Sequence, residues 1–378
     1  MRGFSLGKIA GFQISIDWSW LIIFVLVTWS LAATYFPRTA PHLGAAAYWA
    51  MGVIAAILFF AAVVAHELMH SVVAKRYGID IKGITLFIFG GMSQTAEEPQ
   101  TPGVEFAMAI VGPAASLAIS GVFYAVTYAA TAAHWPAAVV AVVSYIAWIN
   151  LVLGAFNLVP GFPLDGGRVL RSILWSSTKN LEAATRYASY VGQGFGYLLM
   201  AFGFYALVQG AAVGRLPISG IWLGFIGWFL AGMARTGYEQ VLLRQALSGV
   251  AVERVMTVDV PTVAPDVTVD DFVRDYLMRH EYACYPVLED DSVKGIVSID
   301  EVRSVPQDQW ARTTVAEISQ PVEDSLRISK DADAWDALLK LATDDTRRLL
   351  VMHDSSLDGT VSQENILRLV RTKMRLGI

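Results

Sequence analysis

The sequence predicts a polytopic helical membrane domain followed by a soluble α/β domain, and three observations support this. Residues 1–234 hold only 19 of the chain's 61 Asp, Glu, Lys and Arg residues, although they make up most of its length. The same part contains six uncharged runs long enough to cross a bilayer. From about Gly249 onward, short β-prone runs alternate with amphipathic helices, and this pattern occurs twice.

The six runs are 18–36, 45–65, 106–133, 135–164, 187–214 and 216–234. At a rise of about 1.5 Å per residue, 45–65 alone spans roughly 30 Å, the thickness of the hydrocarbon core. The first run is too long for a removable signal peptide and lacks a small-residue cleavage pattern, so it reads as a retained span. Six spans put both ends of the domain on one side. Arg2, Lys8, Lys75, Arg76, Lys82, Arg168, Arg171, Lys179, Arg186, Arg235 and Arg244 all fall on that side, against Arg38 and Arg215 on the other. The positive-inside rule therefore predicts a cytoplasmic N-terminus and a cytoplasmic tail.

At the inner end of the second run stands His66-Glu67-Leu68-Met69-His70. On a helix, residues four apart share a face, so both imidazoles can reach one metal ion while the Glu67 carboxylate stays free to activate water. With six His and 13 Glu in 378 residues, chance supplies such a pattern only about 0.003 times per chain, so coincidence is a poor explanation. Two imidazoles need a further ligand. Asp165 is the candidate, in Asn157-Leu158-Val159-Pro160-Gly161-Phe162-Pro163-Leu164-Asp165-Gly166-Gly167-Arg168. The two prolines cannot continue a helix, and irregular backbone at membrane depth is tolerated where it lines a protein-enclosed cavity.

HELMH followed by NLVPGFPLDGGR resembles the site-2 protease family of intramembrane zinc metalloproteases, and the resemblance covers the whole membrane half. It implies one Zn²⁺ held by His66, His70 and Asp165, with Glu67 as catalytic acid/base and Asn157 beside the substrate. The β-prone stretch 84–93 is too short to span and resembles the family's membrane-associated β-loop. There Phe89, Gly90 and Gly91 would meet an unwound substrate strand. The implied substrate is a transmembrane segment of a regulatory protein, such as an anti-sigma factor or a sporulation-type precursor. A catalytically idle scaffold or sensor of the same fold is the alternative.

The tail, 249–378, resembles a pair of CBS domains, with halves 249–311 and 312–378 joined to the membrane domain by a linker, 235–248. One unit runs from Val252 through Tyr285-Pro286-Val287-Leu288 to Ser298, and the other from Val315 through Leu349-Leu350-Val351-Met352 to Ser362. Such a pair implies a homodimer and a regulatory role. The family commonly carries an Asp three residues after each Ser or Thr to hold ribose hydroxyls. Glu301 and Asn365 stand at those positions, which leaves an adenine nucleotide open. Residues 235–378 are acidic, with 17 basic against 25 acidic residues, so they offer no nucleic-acid surface. The single cysteine, Cys284, excludes an intrachain disulfide and suits a reducing compartment. Neither a Gly-x-Ser-x-Gly elbow nor a phosphate-binding loop is present.

Overall fold

The computed structural model describes residues 3–88, 90–95, 99–212, 218–279, 284–290, 292–343 and 348–376. The chain divides into two compact units, Met1–Glu239 and Gln240–Ile378.

The first unit begins with two strands that the hydropathy reading passes over, β1 (Gly3–Ile9) and β2 (Phe12–Asp17). They join β3 (Ile81–Phe87) and β4 (Gly90–Thr95) in one sheet of order β1-β2-β3-β4, with β2 and β3 parallel. The stretch expected as a loop over 84–93 is thus a hairpin, and β4 forms an edge of the sheet. Asp17 ends β2 and caps the next helix by accepting from the Ser19 amide at 2.9 Å.

That helix, α1 (Trp18–Thr39), widens into a π turn at Leu31–Tyr35. Pro37 follows directly and has no N–H to give the carbonyl one turn back. Next comes α2 (Ala45–Arg76), about 48 Å long at 1.5 Å per residue. Its buried residues Met51, Ala55, Val63, His66, His70 and Ala74 recur at helical spacing and form one inward face. Gly52 lets α1 approach closely, since a Cβ there would lie 2.9 Å from the Thr28 carbonyl oxygen.

Helix α3 (Pro102–Ala132) starts on a Thr101 cap and contains Pro113. It packs along α4 (Ala137–Asn157), where Ser120 Oγ donates to the Ala147 carbonyl at 2.8 Å. The chain then breaks, as the prolines predict, through a turn over 158–164 into α5 (Asp165–Thr178). Two long helices follow, α6 (Leu181–Ala212) and α7 (Ile218–Leu247). They meet through glycines: a Cβ on Gly203 would stand 2.6 Å from the Gly220 carbonyl, and one on Gly227 would overlap the Gly196 carbonyl. Among the described residues, five helices are long and apolar enough to cross a membrane. The expected sixth span, 216–234, lies partly outside the described residues, and its described part belongs to α7.

In the second unit, the hairpins β5 (Cys284–Glu289) with β6 (Ser292–Ser298) and β8 (Arg348–His353) with β9 (Ser356–Ser362) repeat one register. Cys284 pairs with Ser298 as Arg348 pairs with Ser362, and each hairpin is bulged after its central valine, Val287 or Val351. With β7 (Arg327–Ile328) they form a sheet of order β5-β6-β9-β8-β7. Each repeat lends its leading segment to the other. Val250 and Val252 pack with Leu349, Val351, Val361 and Ile366, while Val315 packs with Val263, Phe272, Val287 and Val297. Burial pushes the Cys284 thiol pKa up, which makes it a poor nucleophile.

Candidate metal centre

The inward face of α2 brings His66 and His70 beside the first residue of α5. His66 Nε2 lies 3.1 Å and His70 Nε2 3.2 Å from the same oxygen, Asp165 Oδ2. All three potential donor atoms lie within 4.8 Å of one another, and both histidines are buried. His66 stands nine residues before Lys75, about 14 Å along the helix, which places the cluster inside the apolar region near its charged end.

The chemistry of this donor set fits a zinc ion. His70 Nδ1 lies 2.6 Å from the Met108 carbonyl, which can only accept, so Nδ1 carries the proton, and Nε2, when the ring is neutral, offers its lone pair to the cluster. His66 Nδ1 contacts Ser116 Oγ at 2.9 Å, leaving its Nε2 to face the same point. With both rings neutral, two imidazole lone pairs and a carboxylate oxygen converge on one point, the donor set that a zinc ion takes. Tetrahedral zinc with bonds of about 2.0–2.1 Å separates its ligand atoms by about 3.3 Å, close to the distances found.

The remaining expected residues fall around a cavity of about 620 Å³ lined by His66, Glu67, His70, Gly90, Gly91, Asn157, Asp165 and Arg168, with apolar walls from α1, α2 and β3. Gly91, on edge strand β4, abuts Glu67: a Cβ there would overlap Cγ and stand 3.3 Å from Oε1. Asn157 faces the cavity from the end of α4, and its Nδ2 donates to the Leu153 carbonyl at 3.0 Å. Phe89 lies outside the described residues.

Sequence reasoning missed the part played by α3. Met108 and Ser116 hold the outer nitrogens of the two imidazoles. Gly112, between them, leaves room for both rings, since a Cβ would overlap His70 Nε2 and stand 2.7 Å from His66 Nε2. The spacing 108, 112, 116 is that of one helical face, a signal available beside the Gly-Pro step of the third run. The glycines after Asp165 also have a specific task, because a Cβ on Gly166 or Gly167 would overlap the backbone of the preceding turn.

A model described as Peptidase family M50 matches residues 54–134 and 126–201, and one for the CBS domain matches 252–308. The Mycobacterium tuberculosis protein named as zinc metalloprotease Rip3 is 37% identical over 368 residues, covering 97% of this chain and 92% of its own. A Synechocystis protein named as a zinc metalloprotease is 32% identical over 370 residues, covering 97% of this chain and 95% of its own. The solved site-2 protease from Methanocaldococcus jannaschii is 27% identical and covers 63% of this chain and 95% of its own, with a TM-score of 0.42. With relatives this similar along nearly its full length, and with a membrane half carrying both motifs, the chain belongs to peptidase family M50, the site-2 protease family of zinc metalloproteases.

Proposed function

We propose that this protein hydrolyses peptide bonds within or beside transmembrane segments of regulatory membrane proteins, with His66, His70 and Asp165 as zinc ligands and Glu67 as the catalytic acid/base. The observation that carries the reading is the convergence of two Nε2 atoms on Asp165 Oδ2 in a cavity that also holds Glu67 and the edge strand β4. When bound, zinc supplies a Lewis acid for the scissile carbonyl and lowers the pKa of water. Glu67 takes the water proton on its carboxylate and returns it to the leaving nitrogen. A helical substrate hides its peptide bonds, so it must first be extended. Among the described residues β4 lies at the edge of its sheet, where it offers backbone groups for an added strand, and Gly90 and Gly91 keep that strand close to Glu67. Asn157, across the cavity, offers its amide to the substrate backbone.

The distribution of Lys and Arg supports a cytoplasmic placement of the N-terminus and the tail. The tail, read as tandem CBS domains over 249–378, serves as a regulatory and dimerising module. Anti-sigma factors and sporulation-type precursors are substrates of the fitting kind.

Purified protein tests the division of labour. His66→Ala, His70→Ala and Asp165→Ala lose zinc and cleavage together, whereas Glu67→Gln keeps zinc and loses about 10²–10⁴-fold in turnover of a transmembrane substrate. Full cleavage by Glu67→Gln overturns the assignment. Inactivity of the zinc-loaded natural protein towards every membrane substrate offered favours the idle scaffold.

A further inference from the structure

Two imidazoles from one helix are easily held at one spacing, but the third ligand arrives on a separate element after an irregular turn. Asp165 opens α5, and the turn over 158–164 is anchored through its backbone, with the Phe162 amide donating to the Ala188 carbonyl of α6 at 3.2 Å. Something must fix where α5 lies along α2 and how it is rotated, because the carboxylate has to stand about 3 Å from both rings at once.

Six residues into α5, Arg171 is buried against Glu105, whose side chain has no exposure to solvent. Arg171 Nε donates to Glu105 Oε1 at 2.6 Å, a second guanidinium nitrogen reaches the same oxygen, and the guanidinium also lies 5.1 Å from the centre of the Phe162 ring. One side chain thus joins the start of α3, the body of α5 and the ligand-bearing turn. Glu105 occupies the same face of α3 as Met108, Gly112 and Ser116, at spacings of three, four and four. The helix that holds both imidazoles from behind also carries the anchor for α5.

We propose that Glu105 and Arg171 are positioning residues for the third zinc ligand, fixing α5 to α3 so that Asp165 is referenced to the helix that orients His66 and His70. This rests on the reading of Asp165 as a ligand. A buried ion pair is an expensive way to gain stability, since a well-packed apolar pair of similar volume is often as good or better. Its directional contact, two guanidinium nitrogens on one carboxylate oxygen, sets a geometry that an apolar pair does not.

The test uses full-length protein in detergent, with zinc affinity read by chelator competition and geometry by the visible absorption of the cobalt(II)-substituted form. Glu105→Leu/Arg171→Met removes both charges, and Glu105→Gln leaves Arg171 without its counter-charge. The double variant is expected to fold with an unfolding temperature near that of the natural protein, to bind zinc about 10–100-fold more weakly, and to change the cobalt spectrum. Glu105→Gln is expected to show the same loss where it folds. Natural affinity and spectrum in the folded double variant overturn the proposal. So does failure of both variants to fold, which marks the pair as structural support alone. Asp165→Ala separates the two readings. If it keeps zinc, the ligand assignment falls and this proposal with it. If it loses zinc while the double variant binds normally, only the positioning role is overturned.

Discussion

The membrane unit buries His66, His70, Ser71, Glu105, Ser116, Ser120, Asn150, Arg171 and Ser172, whereas among the described residues of the tail Thr360 is the single buried polar side chain. The charge count alone points the opposite way, since residues 235–378 carry 42 of the 61 charged residues. Water accepts charges on the tail's surface, and its two cores are built from Val, Leu, Ile, Phe and Tyr. Lipid disfavours charge, so polar groups in the membrane unit collect inside, where most are hydrogen-bonded or paired, although Glu105 Oε2 and Asn150 Oδ1 have no hydrogen-bond partner among the described residues. His66, His70, Ser116, Glu105 and Arg171 gather at the candidate site and its supports, while Ser71, Ser120, Asn150 and Ser172 donate to backbone carbonyls.

The sharpest way to break this comparison is to disturb the polar interior by a single carbon. Gly112→Ala places a methyl group where both imidazole Nε2 atoms stand. Zinc affinity should fall about 100-fold or more, and cleavage with it. Gly121→Ala, on the same helix with open space around its Cβ, should leave both unchanged and stabilise the helix by up to about 1 kcal/mol. Zinc analysis of the two proteins side by side decides the matter. Equal zinc content shows that α3 does not press on the site.

The mirror experiment is made in the tail. Ile366 has no exposed surface and packs against Val252, Leu349 and Val361. Ile366→Ala should cost the tail about 2–5 kcal/mol, read as a lowered thermal transition, with zinc content of the membrane unit unchanged. Zinc loss in this variant would show that the tail's apolar packing and the polar interior are not separate matters.

The same contrast sets how far the sequence could be read. His66, Glu67, His70 and Asp165 were legible because rare residue types in an apolar setting carry their own signal, and helical spacing puts the two histidines on one face. The turn over 158–164 was legible because its prolines forbid a helix. The strands Gly3–Ile9 and Phe12–Asp17 were not, because short strands have no periodicity strong enough to declare themselves, and the parallel partner of the second, Ile81–Phe87, is remote in the sequence. Glu105, Met108, Gly112 and Ser116 were also missed. Their role comes from contacts with α2 and α5, and a glycine or a backbone carbonyl carries no chemical label. Likewise, the repeat in the tail was legible from its matching hairpins, but the exchange of leading segments between its halves depends on packing alone.

The smallest expected effect concerns the two tail positions where a ribose-holding aspartate would stand. Glu301 turns back on its own helix: Oε2 accepts from the Ser298 amide at 2.8 Å and from Ser298 Oγ at 2.5 Å, closing a capping box. Asn365 Oδ1 accepts from Ser362 Oγ at 2.5 Å, and its Nδ2 donates to Thr257 Oγ1 at 3.2 Å. Asn365 carries no charge, and the carboxylate at 301 is already engaged in a local cap, so a ribose would have to displace existing hydrogen bonds without gaining the usual pair of carboxylates. Calorimetry on the full-length protein should accordingly find ATP binding no tighter than about 1 mM, some −4 kcal/mol. Glu301→Asp/Asn365→Asp should strengthen it measurably. Micromolar binding by the natural protein would show that these caps open for a ligand, and the tail would then join the membrane unit as a place where polar side chains serve recognition.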